Sequence, residues 1–559
     1  MSVFLNKVSI FNLVYLLSVF VLVACGGGGG GAAQDNFTVS TNQLNYSADI
    51  DANVPADQIV TGSVRDATTS IRVDVIINGT AVETAEFNLT GGNSGQLTVT
   101  AKNPEQLGVG VFEDQITIYV CTGFSSCVGS ASQVSGSPKT IHVSYNVTAT
   151  PTVRYVAPHL SQSDASGEVI IRGVGFSLLD SPEVSFGDSA ALSVNVVNDT
   201  EIKASLPLLS AGNYVVNVND STGSIATEAS LHVITEPDLG YSFIADTGIK
   251  TRILYDAKRD VMYVGNNDTG LLMRYAHSVD AMSGDPVWTS SSLAIANIHD
   301  IAFMPDGNNL LALSDKSIVH VDLNTFTQTA FASSPLSGSN VFLRQLGIAN
   351  NGIGYAVPGI NGSGSTFFYK YNARKRTFTF VNDTVSQGTV GVSGDGSKLY
   401  IGSKDGNTSF NRILEYNATD DAPLTILSMS ETTNALPVDL TGNTLVLGIQ
   451  NFLNDQRRVY KSSILQGSIP GSSTRSVNYA SALSSDGNTL YSYNPVSDVL
   501  NIYDLTSADA NDSFNQAASS PLSIPDSVGN VLALTMELTP FGRSLFIAGD
   551  TGIVVQPLP

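Results

Sequence analysis

Val390-Gly-Val-Ser-Gly-Asp-Gly-Ser-Lys-Leu-Tyr-Ile401 decides how the second half of this chain folds. Two runs suited to strands flank a turn at Asp395-Gly396, and glycine can take the positive φ that a tight hairpin needs without a side-chain clash. The strand–turn–strand unit returns at Ile253–Val264, Ile301–Ala312, Leu346–Val357, Pro437–Leu447, Ala482–Ser492 and Met536–Ile547. The turn positions Asp260, Gly307, Gly352, Gly396, Gly442, Gly487 and Gly542 lie 47, 45, 44, 46, 45 and 55 residues apart. A period near 45 with several strands per unit marks the blades of a propeller. Seven units within residues 237–559 leave about 46 residues each, enough for four strands. Stacked helices and leucine-rich repeats do not fit, because neither a helical period nor a Leu/Asn ladder runs through the segment. The last unit ends on Gly552–Gln556, room for only a third strand, so the fourth is expected from Tyr241–Ala245. A blade shared between the two ends would close the ring and remove an exposed edge.

The pattern Ser-x-Asp-Gly-x-x-Leu-Tyr, clearest at Ser393–Tyr400 and Ser484–Tyr491, resembles the YVTN/lactonase-like propellers. That family contains lactonases, so the resemblance raises a propeller hydrolase in the periplasm or at the cell surface as an alternative function. No catalytic set of the family is matched here residue by residue, and a fold alone does not assign an activity.

Two further β-rich modules precede the repeats. In residues 36–147, period-two alternation is visible in Ile71–Val75, Ile116–Val120 and Thr140–Val147, with turns such as Gly91-Gly92-Asn93 between strands. This spacing suggests a sandwich, similar to bacterial extracellular immunoglobulin-like repeats. Thr148–Val153 is expected to be a linker within a second module, residues 148–236. There Glu168–Phe176 ends in Gly173-Val-Gly-Phe176 and is followed by Val184-Ser-Phe-Gly187, Ile202–Pro207 and Ala211–Val218. Together these resemble the IPT/TIG immunoglobulin-like domain. Gly173 and Gly175 permit a strand bend or bulge, and Phe176 can plug the sandwich end. The resemblance implies a spacer or adhesion unit. The expected fold is therefore all-β: two immunoglobulin-like β-sandwiches followed by a seven-bladed β-propeller.

The N-terminus supplies an address. Met1–Asn12 carries one cation, Lys7, and Leu13–Ala24 is an almost unbroken apolar run of 12 residues. That is short of the roughly 20 helical residues a bilayer core requires and matches a signal-peptide segment. Leu22-Val-Ala-Cys25 resembles the lipobox of bacterial lipoproteins, which implies removal of residues 1–24 and lipidation of Cys25. Residues 25–35, with Gly26–Gly31, would then be a flexible leash. Gly26 after the cysteine, where an Asp tends to retain such lipoproteins at the inner membrane, points to the outer membrane of the cell envelope. The expected partners are a membrane, through the lipid, and a protein or glycan.

Charge narrows the function further. The formal net charge is −22, from 27 Lys and Arg against 49 Asp and Glu. Such a surface repels nucleic acid, so no nucleic-acid partner is expected. Of three cysteines, Cys121 and Cys127 remain once Cys25 is assigned to lipid, and an even remainder in an exported chain implies a disulfide.

Candidate chemistry is sparse. No zinc-protease, nucleophile-elbow, phosphate-loop or dinucleotide motif stands in context among the six histidines and the glycines, so no cofactor and no metal are expected. His299-Asp300 precedes the innermost strand of the second blade, and Arg252 and Arg344 hold comparable places in blades one and three. At one mouth of the ring these four would form a pocket for an anionic or sugar ligand; the simpler account makes them solvated loop residues. Asn266-Asn-Asp268, Asn219-Asp220 and Asp49-Ile-Asp51 fall short of a calcium loop and suit turn chemistry instead. Trp288, the only tryptophan, is expected to pack in blade one.

Overall fold

Alternating burial builds the first sandwich. In Ser94–Ala101 and Gly110–Thr122 every second side chain points inward, bringing Leu97, Val99, Ile116, Ile118 and Val120 into the core. The computed structural model describes residues 36–558 apart from short internal stretches, the longest being 404–411, 429–436 and 470–479. Leu22–Cys25, the leash and the rest of the N-terminal segment lie outside the described residues. Two compact units part at Pro151/Thr152.

In the first unit, Asn36–Val39, Gln58–Arg65, Ser94–Ala101 and Val82–Gly91 form one sheet, in that order. Gln43–Asp49, Lys139–Thr148, Gly110–Thr122 and Ile71–Asn78 form the other. Its first two strands, Gln43–Asp49 and Lys139–Thr148, run parallel, with Gln43 opposite His142. Tyr46 ties the sheets together by donating from its hydroxyl to the Val99 carbonyl at 2.8 Å. Buried Asp114 accepts from the amides of Thr80, Ala81 and Val82. Gly79 is required beside it: its φ is 134°, and a Cβ there would sit 1.8 Å from the Asp114 carboxylate. Cys121 and Cys127 are disulfide-bonded, and the Asp74 carboxylate holds the loop by accepting from the Cys127 amide at 2.7 Å.

The second sandwich begins earlier than the sequence suggested. Thr148 pairs with Asp49 and Val153 with Gly173, so the connector shrinks to Ala149–Pro151. The expected bend falls at Arg172/Gly173, where the register shifts against Thr152–Ala157. A Cβ on Gly173 would come within 2.1 Å of the Thr152 carbonyl and 2.4 Å of the Phe176 ring, and Phe176 is fully buried in the core.

Seven sheets follow in residues 242–557, and in all but the last the strands run from the ring's axis outward in sequence order. Four regular blades run from Lys250–Asp256 to Thr425–Ser428. In the fifth, the described part of the inner strand is a single bridge, Val438 to Leu445. The sixth has an outer strand in two pieces, Phe514–Gln516 and Leu522–Ser523, which accounts for the longer last interval in the repeat. The seventh is shared: Ser242–Ala245 pairs antiparallel with Gly552–Pro557, as the short last unit required. Neighbouring blades pack through their sheet faces. Leu254 and Tyr263 meet Ile301 and Leu310 between blades one and two, and Tyr493 and Leu500 meet Met536 and Ile547 between six and seven. Trp288 lies at the closure, its ring 6.1 Å from Phe546 and its Nε1 donating to Ser242 at 3.3 Å.

The repeated hairpin has one hydrogen-bonding device. Ser393 accepts from the Lys398 amide at 2.9 Å, and Asp395 accepts from the Ser393 hydroxyl and the Ser397 amide. Ser484 accepts from the Thr489 amide in the same way, Thr539 from Ser544 and Asp439 from Thr444. A short polar side chain thus satisfies an amide that the tight turn would leave without a partner.

These hairpins also form the seat of the second sandwich. Arg172, 2% exposed, donates to Glu201 Oε2 at 2.6 Å within the sandwich. It also donates to Asn350 Oδ1 at 2.7 Å in the blade-three hairpin and to Thr419 at 3.2 Å in blade four. Asn350 continues the chain of bonds to the Asp395 carbonyl. Truncating one member of a buried pair strands its partner's charge. Arg172→Ala is therefore expected to lower the stability of residues 152–559 by about 3–5 kcal/mol, measured by denaturant unfolding; a loss below 1 kcal/mol would mean that the pair is not a fastening.

Candidate functional site

The innermost strands bring a belt of polar residues to the ring's axis. Arg252, Asp300, Gln345 and Thr389 occupy equivalent positions, opposite Gly265, Leu313, Val357 and Gly402. Asp300 is fully buried and links three blades. It accepts from Arg252 Nη1 at 3.3 Å to each oxygen, from the Leu346 amide at 2.8 Å and from its neighbour Ile301 at 2.9 Å. Gln345 repeats the contact by accepting from the Val390 amide. Burial pushes the Asp300 carboxyl above the usual range, while Arg252 and the two amides hold it down.

The other two candidates from the sequence turn elsewhere. Arg344 donates to the carbonyls of Gln387 and Gly388 at 2.9 and 2.7 Å. Burial lowers its guanidinium to about 10, with Asp300 opposing. His299 pairs with Asp315 at 2.7 Å and stacks on Phe342, ring centres 4.6 Å apart. So the structure joins Arg252 to Asp300, keeps Arg344 in electrostatic reach, and leaves His299 in a separate surface pair.

A cavity of about 250 Å³ runs down the axis from this belt. Leu254, Ala302, Leu346, Ile348 and Val392 give it apolar walls, and Arg252 and Glu537 give it charge. Its lining at the hairpin end includes Val156–His159 of the second sandwich. Mostly apolar walls with a few convergent polar groups are the usual character of a small-molecule pocket.

Glu537 is the functional candidate that motif reasoning missed. It occupies the position held in other blades by Leu254, Ala302, Gly347, Gly391 and Ala482, so one charge in an otherwise apolar or small column was the available signal. Burial raises its carboxyl to about 7, and Arg252 moderates the rise. A raised acid binds its proton more tightly in the folded state, so stability is lost as pH climbs from the unfolded value through about 7. Each pKa unit is worth about 1.4 kcal/mol, less where water reaches the group. Glu537→Gln should therefore stabilise the protein by on the order of 2 kcal/mol at pH 8 and by almost nothing at pH 4. Urea midpoints at the two pH values test this; a gain independent of pH would show that Glu537 is not held protonated.

The acidic stretches behave as turns. Asp268 accepts from the Ile249 amide, Asn266 from that of Thr269, and Asp49 from that of Asp51. Among the described residues no group of three or more His, Cys, Asp or Glu could hold a metal ion, and no helix is long and apolar enough to cross a membrane.

Residues 151–233 match the model of the IPT/TIG domain family. No curated protein matches the chain. Among solved structures it is similar to a chain of the mitotic checkpoint complex, at 15% identity over 58% of this chain and 95% of that one, TM-score 0.41. It is also similar to a chain of hydrazine synthase from Kuenenia stuttgartiensis, at 12% identity over 57% and 99%, TM-score 0.41.

Proposed function

We propose that this chain is a lipid-anchored protein of the cell envelope and a binding device whose propeller, of the YVTN/lactonase-like type, engages a protein or glycan partner. The observation that carries the binding reading is the direction of the ring. Within residues 152–559 the second sandwich contacts the hairpins of blades two and three, through His159 against Gly307, Tyr155 against Gly352 and Arg172 on Asn350. The loops that precede the inner strands, near Arg252, His299 and Arg344, lie at the opposite end of those strands. They are the surface a partner would meet.

The candidate acid–base groups favour binding over catalysis. Asp300 is engaged by Arg252 and two amides, and His299 by Asp315. The lipid anchor rests on Leu22–Cys25, and the first sandwich together with the glycine leash would then hold the propeller off the membrane.

The test is cross-linking of the intact lipoprotein in its native envelope, beside Cys25→Ala. The substitution is expected to move the protein from the membrane pellet to the soluble fraction, and cross-links of the intact form should map to the loops around Asn267, Asn297 and Asn340. Unchanged membrane attachment would overturn the anchor, and cross-links confined to the hairpin face would overturn the binding surface.

A further inference from the structure

Two carboxyl groups line the axial cavity, and their situations differ. Asp395, at the hairpin end, accepts from the Ser393 hydroxyl and the Ser397 amide, both at 2.8 Å. The polar groups around it are engaged in the same way. Ser393 accepts from the Lys398 amide, and Asn350 bonds to Arg172 and to the Asp395 carbonyl. Glu537 stands on the inner strand of the seventh blade, Val531–Leu538. Among the described residues no donor reaches its carboxyl group, and Arg252 acts on it through space alone.

Arg252 is already taken up by Asp300. Its Nη1 lies 3.3 Å from each oxygen of that carboxylate, so one guanidinium stands against two carboxyl groups. His159, in the wall formed by the sandwich, adds no charge near neutral pH, because burial lowers it to about 4. With Glu537 ionised, the group of Arg252, Asp300 and Glu537 carries one negative charge in excess. The walls beside it are Leu254, Ala302, Leu346, Ile348 and Val392. An uncompensated charge against such walls is costly, which is why burial holds the Glu537 carboxyl near 7. A proton relieves that cost, and so does a cation that reaches the carboxylate. An anion does not, since it would meet two carboxylates and a guanidinium that is already paired. An inorganic cation is poorly served, because no three His, Cys, Asp or Glu side chains gather to hold a metal ion among the described residues.

We infer that the axial cavity binds a small organic amine, with its ammonium on Glu537 and its hydrocarbon body against the apolar walls. An ammonium supplies the donors that the Glu537 carboxylate lacks, in charge-assisted hydrogen bonds, and balances the excess charge of the group. A cavity of about 250 Å³ suits a compact body, such as a single saturated ring, rather than a peptide. The site holds whether or not the loops of the ring engage a partner, and its test does not use the anchor or those loops.

Isothermal titration of the full chain at pH 7.5 tests the assignment, with cyclohexylamine, cyclohexanol and cyclohexanecarboxylate as probes of one shape and three charges. The amine is expected to bind at one site per chain, and the other two about tenfold more weakly or less well still. Glu537→Gln keeps the shape of the side chain and removes its charge. It should weaken the amine by about tenfold or more and leave cyclohexanol within about twofold. Cyclohexylamine stays cationic from pH 5.5 to 7.5, whereas Glu537 takes up its proton below about 7. Amine affinity should therefore fall by about tenfold or more at pH 5.5, and this fall should vanish in Glu537→Gln. The proposal fails if the amine does not bind, if cyclohexanol binds as tightly, or if Glu537→Gln binds the amine like the wild type. Tighter binding of the carboxylate would also overturn it, by placing the ligand on Arg252. Should the variant lose its far-UV circular dichroism, the pH series in the unaltered chain carries the same test.

Discussion

The pairing of Ser242–Ala245 with Gly552–Pro557 is the constraint on which the ring depends. A propeller has no single core. Its apolar surface is divided among the junctions between blades, and each junction needs a neighbour on both sides. Without the strand from the first end of the segment, the seventh sheet would keep an open edge, and Phe546, Ile553 and Val555 would lose the company of Ile253, Tyr255 and Met262 across the junction. Lys250 strengthens the same place: it is 1% exposed, and its ammonium donates to the Asp246 and Gly248 carbonyls at 2.9 and 2.7 Å. Burial lowers its pKa, and Asp246 opposes that.

Closure fixes where everything else can go. The closing strand follows the second sandwich after a connector of only a few residues, from Ile234 to Ser242. The sandwich is thereby held next to the hairpin end of the ring, and Arg172 and His159 meet blades that come much later in sequence. A spacer in the loose sense would be free to swing; this sandwich instead contributes a wall to the axial cavity.

Much of this fold was legible because repetition turns weak local signals into a strong one. A single Asp-Gly turn between two short runs says little, but seven at a near-constant interval leave few architectures. The bulge at Arg172/Gly173 was legible for a different reason, glycine spacing: only a residue without a Cβ fits at Gly173, against Thr152 and the buried Phe176. The site was less so. His299, Asp300, Arg252 and Arg344 were grouped by their place in the repeat, and all four stand at the start of inner strands. Place could not give side-chain direction, which is set by what neighbouring blades offer: Asp315 and Phe342 for His299, two carbonyls for Arg344. Glu537 was overlooked because it belongs to no motif and shows only as an exception in a column. The sandwich's share of the axial cavity was not legible at all, since it joins residues 156–159 to residues 392–396 across a docking that no periodicity records.

Trp288 offers the most direct test of ring closure, because the only indole in the chain touches Phe546 and Ser242 at the shared blade. The measurement is its fluorescence in the full chain and in a chain ending at Thr551. If the two ends share a blade, removing Gly552–Pro559 opens the ring beside Trp288, and its emission should move towards that of a fully hydrated indole under native conditions. Emission identical to that of the intact chain would contradict closure by this strand pair.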